Sequence, residues 1–112
     1  MIIIAEEKRF EEQIKKFLTE RGWYFVKYFA NRNTKSGIPD ILACVNGRWL
    51  AIEVKASRGR ASELQIYNRR KIREAGGISI IIYPNQFDEF KRLILQIETG
   101  NFQNYMQYAF DK

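Results

Sequence analysis

Apolar positions along the chain alternate between the spacing typical of helices and the spacing typical of strands. Residues 5–21 carry Phe10, Ile14, Phe17 and Leu18 on one helical stripe, and Gly22 ends this segment. The pattern then predicts a strand at 23–29, strands at 38–45 and 48–55, a helix at 62–75, a strand at 78–83 and a helix at 88–98. The order α-β-β-β-α-β-α predicts an α/β fold, a mixed sheet with helices on its faces.

The second and third predicted strands are joined by Asn46-Gly47, a pair that favours a type I′ hairpin turn. A two-residue turn fixes the register, so that Asp40 faces Glu53 on one side of the sheet. Lys55 lies two residues beyond Glu53 and therefore points to the same side. Like charges at directly opposite positions are destabilising, and a divalent cation between the two carboxylates would remove the conflict. The alternative is an Asp–Lys–Glu ion-pair cluster without catalysis.

The amino-acid composition limits which metal such a site would hold. The chain has one cysteine and no histidine, which excludes an intrachain disulfide and makes a zinc site very unfavourable. Any metal would be held by oxygen ligands, which suits magnesium, manganese or calcium. By the hairpin register Cys44 faces Trp49, and both are interpreted as core residues with an inert thiol.

A third carboxylate is expected from the first helix. Glu7 lies on the same stripe as the apolar residues of that helix, and Glu11 lies one turn later at its edge. A carboxylate on a core-facing stripe is unusual unless it has a partner. The alternative for each glutamate is a solvated helix charge.

Length and charge limit the number of domains and the class of partner. The 112 residues suffice for a single domain, 1–112, in which residues 101–112 form an aromatic C-terminal tail. Nineteen Lys and Arg against 13 Asp and Glu give a net charge of +6, which favours a polyanion such as nucleic acid as the partner. The chain lacks an apolar run long enough to span a membrane, and we expect a cytoplasmic protein.

Basic residues flank the candidate site on both sides. Arg32 and Lys35 lie in the loop before it, and Arg58 and Arg60 lie in the loop after it. All four are candidates for phosphate contacts, with plain solvation as the alternative. Four basic residues of the next helix are interpreted as a solvated face, with DNA contact as the alternative: Arg69, Arg70, Lys71 and Arg73.

The sequence around the hairpin resembles a known nuclease signature. Gly37-Ile38-Pro39-Asp40, followed by the Ile-Glu-Val-Lys of residues 52–55, resembles the PD-(D/E)XK motif. Together with Glu7, Glu11 and Gln65, the pattern resembles stand-alone phage-type members of the virus-type replication-repair nuclease (VRR-NUC) family. That family is in turn similar to archaeal Holliday junction resolvases. The resemblance covers roughly residues 6–98 and implies a restriction-endonuclease-like αβββαβ core.

The same resemblance implies a role for individual residues. The metal ligands would be Asp40, Glu53 and the backbone carbonyl of Val54, with Lys55 as the catalytic lysine. Aligned on the resolvases the helix glutamate is Glu11, and aligned on the wider family it is Glu7. Gln65 matches a glutamine that closes over the site. Its alternative is a capping box with Ser62 at the start of the second helix.

The resemblance implies an endonuclease that uses Mg²⁺ or Mn²⁺ to hydrolyse phosphodiester bonds in DNA, most specifically in branched DNA such as Holliday junctions. A nuclease acting on flaps, ends or linear duplex is one alternative. A non-catalytic nucleic-acid-binding module is another. Because one small domain holds one site, paired cuts imply a homodimer, with the tail as one candidate interface. The resemblance to phage-type members places the protein in a bacterial or phage-infected cell.

Overall fold

The computed structural model describes residues 2–30 and 33–112 and confirms the predicted α/β element order. The helices and strands are α1 (Ile2–Glu20), β1 (Tyr24–Lys27), β2 (Ile41–Val45), β3 (Arg48–Val54), α2 (Glu63–Glu74), β4 (Ile78–Ile82) and α3 (Phe87–Glu98). Two 3₁₀ segments follow β4, at Pro84–Gln86 and Asn104–Asp111. Within these described ranges, no helix has the length and apolar character needed to cross a membrane.

The sheet is mixed, with strand order β1-β2-β3-β4. The β1–β2 and β2–β3 pairs are antiparallel, and β4 runs parallel to β3. Asn46 (φ 48°) and Gly47 (φ 76°) both adopt the left-handed conformation that a type I′ turn requires. The predicted hairpin register is confirmed. The regular β2–β3 ladder reaches Ile41 opposite Ile52, which leaves Asp40 and Glu53 at the next position along the two strands.

One face of the sheet forms the hydrophobic core together with α1 and α3. Alternate residues of β2, β3 and β4 point to this face, and almost all of them are isoleucine, leucine or valine. The core is completed by apolar residues that repeat at helical spacing: Phe10, Ile14 and Leu18 of α1 and Phe90, Leu93, Ile94 and Ile97 of α3. This packing holds α1 beside the end of the hairpin where the acidic residues lie.

The interpretation of Cys44 and Trp49 as core residues is wrong. Cys44 is exposed and Trp49 is 53% exposed, although they pair as the register predicted. They point to the face opposite the core, where Tyr24 is 73% exposed. The helix α2 packs against β3 and β4 on the sheet, so the part of this face formed by β1 and β2 has little cover.

The C-terminal tail packs against β4 of its own chain. Phe110 is buried in the core, and Gln107 is 2% exposed. The Gln107 side-chain oxygen accepts a hydrogen bond from the Ser79 backbone N–H at 3.0 Å. Because β4 is an edge strand, this contact satisfies a backbone group that the sheet itself leaves unpaired.

The interpretation of the four basic residues of α2 as a solvated face is wrong for two of them. Arg73 donates to the Ser79 carbonyl at 2.8 Å and pairs with Asp111 at 2.7 Å. Arg69 lies 3.3 Å from the same aspartate. These two residues anchor the tail, whereas Arg70 and Lys71 are exposed as predicted.

Candidate active site

Asp40 is fixed at the end of the β2–β3 hairpin by two hydrogen bonds. Its side-chain Oδ2 accepts from the Val54 N–H at 2.9 Å, and its backbone carbonyl accepts from the Tyr28 N–H at 2.8 Å. The side chain therefore binds to β3 just where the regular ladder with β2 ends. These bonds fix the orientation of the Asp40 carboxylate and therefore the direction in which its second oxygen, Oδ1, points.

Glu53 is a buried carboxyl group with an unsatisfied oxygen. The residue is 5% exposed, and its Oε1 has no hydrogen-bond partner. Its Oε2 lies 3.7 Å from the Lys55 ammonium. Burial, followed by the neighbouring Asp40 carboxylate, raises the pKa of Glu53 to about 9, and Lys55 only partly opposes this effect. An orphaned buried polar atom is costly, so this oxygen is suited to bind a cation.

Lys55 is held between the sheet and the loop that follows it. Its backbone N–H donates to the Ile82 carbonyl at 2.9 Å, which continues the parallel pairing of β3 with β4. A Cβ atom built on Gly59 would lie 3.5 Å from Lys55 Cδ, so the loop packs against the stem of the lysine. The side chain is 13% exposed, and the ammonium lies beside Glu53.

Both helix glutamates predicted for the site are close to it, in different ways. Burial, followed by the Asp40 carboxylate, raises the pKa of Glu7, and Lys55 lowers it in part. Glu11 accepts a hydrogen bond from Lys27 at 2.6 Å, and the same ammonium lies 3.5 Å from Asp40 Oδ1. Glu7 therefore interacts electrostatically with the central residues, while Glu11 is linked to Asp40 through a lysine.

Glu6 is a residue of the site region that the sequence did not single out. Its two carboxylate oxygens accept from the Ser57 backbone N–H at 2.8 Å and from the Ser57 hydroxyl at 2.6 Å. These bonds tie the start of α1 to the loop after Lys55. Helical periodicity could not predict this contact, because it depends on the tertiary fold, which brings Ser57 to the start of α1.

The structure forms the capping box that was the alternative for Gln65. The Gln65 side-chain oxygen accepts from the Ser62 backbone N–H at 2.9 Å, and the Ser62 hydroxyl accepts from the Gln65 N–H at 3.1 Å. The pair therefore begins α2. Closure of Gln65 over the site stays a prediction, and it would require the side chain to leave this cap.

Three of the four flanking basic residues lie within the described ranges. Arg58 and Arg60 are exposed and line a groove beside the Lys55 loop. Lys35 is also exposed, and its carbonyl accepts from the Tyr28 hydroxyl at 3.2 Å. Arg32 lies outside the described residues.

The donor set fits a hard divalent cation at its centre. Asp40 and Glu53 provide two convergent carboxyl groups, one with an unsatisfied oxygen. Among residues 2–30 and 33–112, no group of three or more His, Cys, Asp and Glu side chains is arranged to hold a metal ion. The ammonium of Lys27 contacts both Glu11, at 2.6 Å, and Asp40, at 3.5 Å.

A mixed sheet that brings Asp, Glu and Lys together at one end of a hairpin defines the class of PD-(D/E)XK nucleases. A family model for the archaeal Holliday junction resolvases matches residues 5–82 of this chain. The match covers well over half of the 112 residues, and the chain belongs to this nuclease family. A comparison with curated proteins gave no match.

Proposed function

We propose that this protein is a Mg²⁺- or Mn²⁺-dependent endonuclease that cuts branched DNA, such as a Holliday junction. The observation that carries the proposal is the buried Glu53 Oε1 atom, which has no partner and belongs to a carboxyl group beside Asp40 and Lys55. Membership of a resolvase family supports a branched substrate. The narrower VRR-NUC assignment and the phage context stay predictions.

Each central residue has a chemical role in this proposal. Asp40, Glu53 and the Val54 carbonyl would hold the metal, which would polarise the phosphate and lower the pKa of a bound water. Lys55 stabilises the negative charge that develops on the phosphate and orients the attacking water. Glu11 is our choice for the carboxylate from α1, because the resemblance to the resolvases implies it and Lys27 already links it to Asp40. Glu7 is the alternative.

The ion-pair arrangement argues against a purely structural cluster. In such a cluster the buried oxygens of both carboxylates would be paired with donors. Lys55 approaches only one oxygen of Glu53, at 3.7 Å, and leaves the other without a partner. The site therefore has a buried carboxyl oxygen that a bound cation would satisfy.

Two copies of the chain are expected to act on one junction. A single site cuts one strand, and a two-fold dimer presents two sites to a substrate that has its own two-fold symmetry. The tail can contribute to such an interface through Tyr105 and Tyr108, which are 64% and 52% exposed. We expect the dimer to act in the cytoplasm, where its DNA substrate lies.

The test is cleavage of a four-way junction, a flap and a linear duplex by the purified protein, with Mg²⁺, Mn²⁺ or EDTA. The proposal predicts metal-dependent nicking, fastest on the junction. Equal rates on all three substrates would leave a nuclease of broader substrate range. Binding without cleavage in either metal would favour the non-catalytic DNA-binding module.

A further inference from the structure

A groove of about 870 Å³ adjoins the site on the side of the Lys55 loop. One wall is the segment from Ser57 to Arg60, which follows directly after the catalytic motif. The opposite wall comes from residues that follow β4: Tyr83, Asn85, Gln86, Glu89, Ala109 and Lys112. The two walls come from distant parts of the sequence, and no motif in the chain predicted this groove.

The wall formed by residues 57–60, here called the near wall, closely follows the proposed catalytic residue Lys55 in the chain. Gly59 packs against the aliphatic stem of Lys55, and its N–H donates to the Ala56 carbonyl at 2.9 Å. Glu6 holds Ser57 through the two hydrogen bonds described above. A strand that lies in the groove would therefore pass within a few residues of the site.

The charge of the lining suits a polyanion. The basic side chains of Arg58, Arg60 and Lys112 are exposed there, and Glu89 has the one acidic side chain of the lining. The half-buried Tyr83 adds an aromatic ring, and Asn85 adds an exposed amide. Cationic side chains with an interspersed aromatic residue are typical of surfaces that follow a nucleic-acid strand.

The opposite wall, here called the far wall, is held in place by contacts of the C-terminal segment. It also lies outside the family match. The bonds of Gln107 to Ser79 and of Arg73 to Asp111 hold the C-terminal 3₁₀ segment against β4. The match to the resolvase family ends at residue 82, and every residue of the far wall follows it. This wall is therefore contributed by sequence outside the family match.

We propose that the groove binds the sugar-phosphate backbone of one DNA strand as it leaves the active site. The inference rests on the proposed function and adds the path of the substrate. Phosphate groups of that strand would lie between the near wall and the far wall. Contacts of this kind position the substrate and are independent of its sequence.

The test uses charge changes at Ala109, an exposed residue on the far wall. Ala109→Glu and Ala109→Lys place opposite charges at the same point of the groove. Asn104→Glu and Asn104→Lys are the matched controls, since Asn104 is an exposed residue of the same 3₁₀ segment and does not line the groove. Binding of a fluorescent four-way junction is measured in EDTA over a range of salt concentrations, and melting temperatures verify the fold. Arg60→Ala provides an independent variant on the near wall.

We expect Ala109→Glu to weaken binding, Ala109→Lys to strengthen it and both Asn104 variants to leave it unchanged. Arg60→Ala should lower the slope of log Kd against log salt by about 1, the effect of one lost phosphate contact. If the two Ala109 variants bind the junction equally and the parent protein cleaves it, the groove does not bind DNA. The proposed nuclease activity would then still stand. Absence of cleavage, with binding still sensitive to charge at Ala109, would overturn the nuclease and retain the groove.

Discussion

The Lys27 ammonium lies 3.5 Å from Asp40 Oδ1. The same group donates a 2.6 Å hydrogen bond to Glu11, so that one lysine joins two acidic residues of the site. Burial opposes its charge, but Glu11 and Asp40 together raise the pKa of Lys27 above its ordinary value. Lys27 is therefore a charged internal counter-ion of the metal-free site.

Replacement of Lys27 by methionine should increase the stabilisation that Mn²⁺ provides. The variant keeps the length of the side chain but removes the cation that competes with a metal for Asp40 and Glu11. We expect a lower melting temperature than the parent without metal and a larger rise on addition of Mn²⁺, by mass action on the folded state. Lys16→Met, at an exposed position of α1, is the control. A smaller rise in Lys27→Met than in this control would contradict the counter-ion role.

The two helix glutamates should respond differently to loss of charge. As the proposed ligand, Glu11→Gln should lower cleavage by more than the roughly tenfold to hundredfold loss typical of residues that only support a ligand. It should also reduce the Mn²⁺-induced rise in melting temperature. Glu7→Gln should retain cleavage and shift its pH profile towards lower pH, because the Glu7 charge contributes to the raised pKa of Glu53.

Glu12→Gln is the matched control for both variants, since Glu12 is an exposed residue of the same helix. Its kinetics should equal those of the parent. Loss of the Mn²⁺ response in Glu7→Gln but not in Glu11→Gln would reverse the assignment and make Glu7 the ligand.

The stability of the metal-free protein should fall as pH rises through the titration range of Glu53. The unfolded carboxyl group loses its proton near pH 4.5, whereas the folded group has a pKa of about 9. The folded state therefore binds one proton more in this interval, and the free energy of unfolding decreases with rising pH. Glu53→Gln cannot titrate and should become increasingly more stable than the parent over the same range.

Urea unfolding of both proteins in EDTA, at several pH values between about 5 and 9, measures this difference. Titrating groups that do not interact with Glu53 contribute equally in the two proteins and cancel. A stability difference that stays constant with pH would show that the buried carboxyl group ionises normally.

The protein should be a homodimer at micromolar concentration, as measured by light scattering. Removal of residues 101–112 would be a poor test of the tail, since it would also remove the buried Gln107 and Phe110. Tyr105→Ser changes a 64% exposed ring and should weaken the dimer, whereas Tyr108 is left in place because its ring contacts Arg73, which anchors the tail. Tyr24→Ser, on the open face of the sheet, is the comparison. A monomeric parent protein would contradict the two-site account of junction cleavage.

Local patterns were sufficient to predict the hairpin and its acidic pair. Asn46-Gly47 determines the turn, the turn determines the register, and the register brings Asp40 opposite Glu53. The position of the pair at the end of the ladder, where Asp40 bonds to the Val54 N–H, required the three-dimensional structure. Sequence spacing indicates which side chains share a face but not how far regular pairing extends.

Long-range contacts account for what the sequence did not predict. The exposure of Cys44 and Trp49 depends on how much of the sheet α2 covers, which apolar alternation cannot indicate. The roles of Lys27 and Arg73 likewise depend on partners from distant elements. In each case the residue type was compatible with several environments, and tertiary packing selected one of them.

The most direct test of the central claim is junction cleavage in Mn²⁺ by the parent protein, Asp40→Asn, Glu53→Gln and Lys55→Ala, with Glu12→Gln as the control. Melting temperatures in EDTA verify that each variant is folded. We predict cleavage by the parent and by Glu12→Gln, and none by the three site variants. Cleavage at the parental rate by folded Asp40→Asn or Glu53→Gln would contradict the assignment of this carboxylate pair as the catalytic centre.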